Sequence, residues 1–265
     1  MSDSPPAPAG RPKPFAANWG ARAGWCLLAV YLVYACSQLG FNAERFSAGL
    51  EQGQRFLARM FPPNFARWRL IAGGIAESLQ IAVIATSAGI VLSLPVGLMA
   101  ARNLMPAWVS WPARGLIALC RSFHPIIVAI LFVKAIGFGA LAGVMALIVA
   151  SIGFISKLFA EAVEEISAKQ VESIRATGAG FLSVLIMGVQ PQVLPRFIGF
   201  ATYQLDSNLR NSTMVGIVGG GGIGASLFTA YQRFDFDVVL AILIVIVSLI
   251  MIAEILSGWA RKVFQ

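Results

Sequence analysis

Charge is scarce in this 265-residue chain: Asp, Glu, Lys and Arg together make up 12% of it, and there are one histidine and three cysteines. A water-soluble domain draws on roughly a quarter charged residues, so that class is excluded. His124 has no second histidine, acidic cluster or CxxC beside it to complete a metal site. Cys26, Cys36 and Cys120 all lie inside apolar stretches, and the first two would be about 15 Å apart along one helix, too far for a disulfide. All three read as small buried apolar residues. No glycine-rich loop is followed by the lysine of a P-loop, and neither Ser122 nor Ser151 has a general base at a recognisable spacing. The chain therefore lacks the P-loop for ATP hydrolysis, and intramembrane hydrolysis has little support in its residues.

What is present is apolar length. Hydrophobic residues make up 58% of the sequence and the mean hydropathy is +0.78, which defines a polytopic membrane protein. With about 20 apolar residues needed per spanning helix, there is room for roughly five to seven spans. The net charge of +8 comes from basic residues scattered at the ends of apolar runs, a topology signal rather than a nucleic-acid patch.

The expected fold is all-α, with six transmembrane helices per chain. Residues 1–20 are rich in Pro, Ala and Ser and read as a disordered cytoplasmic tail, not a cleavable signal. A first transmembrane helix follows over 21–43, and an extracytoplasmic amphipathic segment over 44–77 carries Glu44, Arg45, Glu51 and Arg55. The core domain occupies 78–265. Its spans are Ser78 to Ala101, with a bend at Pro95; Gly115 to Ile136; Ala140 to Ser156; Pro195 to about Met214; and Val238 to about Leu256. The distribution of Lys and Arg in short connections favours an inner-membrane protein with both termini cytoplasmic.

The one substantial polar island late in the chain lies at about 158–192. Apolar residues at helical spacing from Lys157 to Ile166 deliver the chain to it, Gly178 and Gly180 break its middle, and Pro191 and Pro195 mark where a new helix starts. The island thus reads as two short amphipathic helices joined at a glycine turn, either shaped for a cleft in another protein or an ordinary cytoplasmic loop. Further on, Asp206 and Arg210 are four apart and share a helix face. Arg210, with Asn208, Asn211, Ser212, Thr213 and, on an earlier span, Arg121, forms the candidate translocation path; the alternative is a structural ion pair at a helix break. Gly219, Gly220, Gly221, Gly222 and Gly224 cannot make a straight lipid-facing helix and form a candidate gate or hinge. His124 reads as a satisfied interior histidine or as part of the path.

The island resembles the cytoplasmic loop of ABC-importer permeases, whose motif runs Glu-Ala-Ala, three residues, Gly, nine residues, Ile, one residue, Leu-Pro. Glu172, Gly178 and Pro191 stand at its Glu, Gly and Pro; Ser173, Ile174, Gly188 and Gln190 replace its two Ala, its Ile and its Leu. FPPNFARW, GLMAARNLMPAWV, VESIRATGA and NSTMVGIVGGGGIG, spread from about Phe61 to the end, resemble the permease subunit of phosphonate and phosphite importers. The resemblance implies an ATPase-coupling helix with contacts at Glu172, Arg175, Ala176, Thr177, Gly178 and Ala179. It implies no cofactor on this chain, with ATP and Mg held by a partner ATPase. It implies a second copy of the chain, two ATP-binding subunits and an extracytoplasmic phosphonate- or phosphite-binding protein as partners, with membrane lipid around it and no nucleic acid. The cargo would be a phosphonate, phosphite or hypophosphite. A permease for another small anion and an ion-coupled secondary transporter remain the alternatives.

Overall fold

The computed structural model describes residues 19–40 and 43–264, so the expected tail falls almost entirely outside the described residues. The chain divides into two units, residues 1–58 and 59–265. In the first, α1 (Trp19–Gln38) has no buried residue. A helix apolar all round is made for hydrocarbon rather than water, and it has the length and hydropathy to cross a membrane. Cys26 and Cys36 are exposed on it and Cys120 is half-buried, which corrects the expectation that all three are packed inside. The following helix, α2 (Ala43–Met60), carries Phe46, Leu50 and Leu57 on one face and its charges on the other.

The second unit is built on α3 (Trp68–Ala100), α4 (Ala107–Ser122), α5 (Pro125–Ile136) and α6 (Ala140–Glu164). These are followed by α7 (Ala168–Ala176), α8 (Phe181–Val184), α9 (Gln190–Val215), α10 (Gly222–Gln232) and α11 (Phe236–Phe264). No strand occurs among the described residues. Five helical stretches are long and apolar enough to span a membrane, and the bent pair α4 and α5 makes a sixth.

The centre is the pair α3 and α6. Gly89 lies against Ser151, Gly97 against Ser156 and Phe159, and the Arg102 N–H donates to Glu164. The constant offset means the two helices run parallel in register. Ala85, Gly89, Ser93 and Gly97 recur every fourth position, so a stripe of small residues faces α6 and the backbones meet closely. A Cβ on Gly89 would stand 2.4 Å from the Ser151 Cβ, and one on Gly97 2.7 Å from the Phe159 ring. The Ser156 hydroxyl donates to the Ser93 carbonyl at 3.2 Å across this seam. On the other side α9 runs antiparallel, with Gln204 beside Ser151 and Val215 beside Gly143.

Three expected boundaries move. The span expected over Gly115 to Ile136 is not continuous: α4 and α5 meet at 89°. Pro125 has no N–H to offer and drives the preceding residue out of the helical region, and His124 is extended (φ −67°, ψ 141°). Its Nδ1 accepts from the Ile126 N–H at 3.3 Å; the side chain is exposed, a helix cap rather than an interior histidine. The segment expected to stay on the surface to residue 77 gives way at Trp68 to the first turns of α3, which then continues through Pro95. Lastly, the helix after Gly180 does not stop for a new start at Pro191. A wider turn over Leu185–Val189 precedes Pro191, absorbing the missing N–H and the displaced carbonyl without breaking the rod.

The expected break at the glycine run is present. Gly219, Gly221 and Gly222 have φ of 100°, 80° and 73°, which side chains with a Cβ rarely adopt. The turn packs backbone to backbone: the Gly139 N–H donates to the Gly219 carbonyl at 2.9 Å, and a Cβ on Gly143 would stand 2.3 Å from the Gly220 oxygen. The Ser78 hydroxyl accepts from the Ile223 N–H at 2.9 Å, giving α10 its only side-chain anchor at that end among the described residues.

Replacing Gly89 with valine overpacks the α3–α6 seam against backbone that cannot retreat, and is expected to cost upwards of about 1–3 kcal/mol. Replacing exposed Gly73, where a Cβ meets nothing within 4 Å, with alanine is expected to leave the melting temperature unchanged or slightly higher. Thermal unfolding of the two variants in detergent checks the contrast.

Candidate functional site

The polar island forms a projecting hairpin at one end of the bundle. Val171 and Ile174 of α7 turn inward and pack with Phe159, Val163, Val184, Val189 and Val193, while Lys169, Glu172, Arg175, Ala176 and Thr177 are exposed. The Gly178 N–H donates to the Arg175 carbonyl at 3.0 Å and the Thr177 hydroxyl to the Ile174 carbonyl at 2.7 Å. Gly178 itself has φ +80° and open space around it, so the glycine is required by backbone conformation and not by crowding. Ala179 is half-buried and joins the packed side.

Two departures from the importer loop motif turn out to be coupled. The chain has Ile174 where the motif has Ala, and Gly188 where it has Ile. A Cβ on Gly188 would stand 3.1 Å from the Ile174 Cδ1. Bulk has moved from one wall of the hairpin's core to the other, and the volume between α7 and the wide turn stays filled.

The base of the hairpin is tied. Glu165 pairs with Arg196 at 2.5 Å, the Ser167 N–H donates to the Gln192 side-chain oxygen at 3.0 Å, and the Gln192 amide donates to the Gly188 carbonyl at 2.6 Å. At the same end, Glu164 accepts from the Arg102 N–H at 2.8 Å and from Arg114 at 2.5 Å, and Asn103 donates to the Val163 carbonyl at 2.7 Å. The base of the hairpin is thus fastened to α9, and the end of α6 that leads into it is fastened to α4 and to the α3–α4 connection.

The candidate path residues do not form one surface. From 208 to 213 a helix turns through about 500°, so they cannot share a face. Asn208 and Ser212 point into the bundle and are 0% exposed; Arg210 is exposed and bonded to Asp206 at 3.0 Å. Asn211 and Thr213 are half-buried, Asn211 donating to the Ser207 hydroxyl at 3.3 Å. Arg121 is exposed on α4.

What the inward residues make instead is a buried network that the sequence reading missed. The Asn208 amide donates to the Thr86 and Ser151 hydroxyls at 2.9 Å each, and the Gln204 amide donates to Ser151 at 2.9 Å and to the Asn208 side-chain oxygen at 3.0 Å. It joins α3, α6 and α9 at one level. The i, i+4 spacing of Gln204 and Asn208, matched to the period of Val215 and Ser212, is the signal by which it could have been found.

A bundle of spanning helices closed by tight small-residue seams, with a rigid helical hairpin fastened at its base, defines the membrane subunit of a transport system. Residues 93–262 match the family described as "Binding-protein-dependent transport system inner membrane component", and the chain belongs to that family. It is 44% identical over 206 residues to the "Phosphate-import permease protein PhnE" of Mycolicibacterium smegmatis, covering 77% of this chain and 39% of that longer relative. It is 36% identical to the "Phosphite transport system permease protein PtxC" of Stutzerimonas stutzeri, covering 95% of this chain and 92% of that one. Among solved structures, a chain of the MetNI methionine ABC transporter in an inward-facing conformation superposes with a TM-score of 0.66 at 25% identity, over 76% of this chain and 99% of that chain.

Asn208→Ala leaves a buried hole and strips Thr86 and Ser151 of an inter-helix donor. It is expected to destabilise the protein by about 1–3 kcal/mol, whereas Arg210→Ala is expected to stay within about 0.5 kcal/mol. Melting curves of the two variants in the same detergent test whether Asn208 acts in packing.

Proposed function

We propose that this chain is the permease of an ATP-driven importer for a phosphonate or a related reduced phosphorus oxyanion, phosphite or hypophosphite. It works as two copies with two ATP-binding subunits that hold ATP and Mg, and receives cargo from an extracytoplasmic binding protein. Both termini and the hairpin lie on the cytoplasmic side. That orientation is supported by Arg102, Arg114, Lys157, Lys169, Arg175 and Arg196 gathering toward the hairpin end.

The observation that carries the reading is the hairpin: a helix whose apolar side is committed to the bundle through Val171 and Ile174, leaving Glu172, Arg175, Ala176, Thr177 and Gly178 turned outward on a stiff base. An outward face held that firmly transmits force, and closure of the ATP-binding subunits supplies it. The names of the relatives support a phosphorus oxyanion as cargo. Arg210, exposed on α9 with Asp206 steering its guanidinium, is the cation on the path for such an anion. The glycine turn at Gly219 to Gly222, with Gly224 packed beneath it, is the gate, since Gly219, Gly221 and Gly222 hold backbone conformations that other residues rarely adopt and interrupt the helix there. The other reading, a permease for a different small anion, keeps every element but the cargo.

The chain is expected to co-purify with a P-loop ATPase and to raise its activity. Gly178→Val forces a β-branched residue into a left-handed conformation, at about 1–3 kcal/mol. It is expected to lower ATPase stimulation at least about tenfold, the factor that 1.4 kcal/mol represents, with membrane insertion unchanged. Full stimulation in the variant refutes the docking of this hairpin.

A further inference from the structure

Between α4 and α6, about two turns from the hairpin end, lies a cavity of about 400 Å³. Its space comes from small residues, Ala100, Ala118 and Ala160, where larger ones would close the gap. Three cations, Arg114, Arg121 and Lys157, line it against a single carboxylate, Glu161. Arg114 is committed, with one nitrogen on Glu164 at 2.5 Å and another on the Ala100 carbonyl at 2.9 Å. Lys157 holds Glu161 at 2.6 Å one turn along the same helix, with both side chains over 40% exposed. Such a contact is weak in water, and an incoming anion can redirect the ammonium.

Arg121 is the exception. It makes no ion pair or hydrogen bond among the described residues, although the base of its side chain is packed. Gly153 of α6 lies beneath it, and a Cβ there would stand 2.8 Å from the Arg121 Cγ, so the stem of the side chain rests on the α6 backbone. Arg121 is exposed at the mouth of the cleft with no counter-charge of its own, and its planar fork suits an oxyanion. No unpaired carboxylate faces it from either lining helix, since Glu161 is on Lys157.

We propose that this cleft binds a phosphorus oxyanion, held between the guanidinium of Arg121 and the ammonium of Lys157. The same chemistry is offered by a free anion, the cargo or inorganic phosphate, and by the headgroup of an anionic lipid. The identity of the free anion rests on the importer reading; the site itself rests on the cleft alone. It separates Arg121 from Arg210, which sits on α9 with its own carboxylate.

The test uses the full transporter with its ATPase in nanodiscs of phosphatidylcholine alone. The thermal midpoint of the chain is followed against phosphite and methylphosphonate for wild type, Arg121→Gln, Lys157→Gln and the charge-keeping Arg121→Lys. In a second arm, nanodiscs with an equal share of phosphatidylglycerol are used and the lipids retained after delipidation are counted by native mass spectrometry. A saturable rise in midpoint whose half-point moves at least tenfold in Arg121→Gln and less in Arg121→Lys establishes the free anion as ligand. Phosphatidylglycerol retention that is lost in Arg121→Gln, with no response to phosphite, establishes the headgroup. If all four proteins respond alike in both arms while the ligand-free variants melt as wild type does, the site is refuted. ATPase co-purification is scored in the same preparations. Its absence would sink the importer reading and leave the binding result standing, and its presence beside unresponsive variants would sink the cleft alone.

Discussion

The close approach of α3 and α6 sets the rest of the second unit. Two parallel helices whose backbones meet at Gly89, Ser93 and Gly97 on one side and Ser151 and Ser156 on the other leave little room for slippage. A hydrocarbon solvent gives apolar side chains no reason to prefer protein over lipid, so van der Waals fit and inter-helix hydrogen bonds must hold such a pair. Both are present here. The Thr86, Ser151, Gln204 and Asn208 network then ties α9 to the seam, and because every member has a partner it fixes one register rather than leaving several.

The hairpin shares that rigidity. An exposed helical turn on a soft loop would absorb a push; here α7 is packed through Val171 and Ile174, and its stems are fastened by Glu165 to Arg196 and Ser167 to Gln192. Each exposed ion pair contributes less than about 1 kcal/mol in water, so fastening comes from several contacts acting with the apolar core. The helical rods are interrupted elsewhere, at the 89° corner between α4 and α5 and at the glycine turn.

Much of this was legible in the residues. The apolar runs located the spans, the pair Gly178 and Gly180 located the turn of the hairpin, and the four consecutive glycines located the break before α10. What stayed hidden has physical reasons. Hydropathy averages over a window, so Pro125 was lost inside an apolar run although it turns the chain through a right angle. Polar residues deep in a span look alike on paper whether they line water or lock helices, and only the 100° step per residue separates Asn208 from Arg210. His124 reads as an interior histidine until the extended conformation before a proline is worked through. The α3 stripe of Ala85, Gly89, Ser93 and Gly97 was visible in the spacing and simply carries less contrast than a charge.

Ile174 and Gly188 fit as a key and its keyway, the isoleucine reaching into the space that a side chain at 188 would take. Neither is neutral alone: an isoleucine at both positions would jam the hinge side of the hairpin, and small residues at both would leave it hollow. Chimeras that exchange hairpins between permeases must therefore carry both positions across as one inherited block, with the graft boundary drawn beyond the wide turn rather than at the loop's tip.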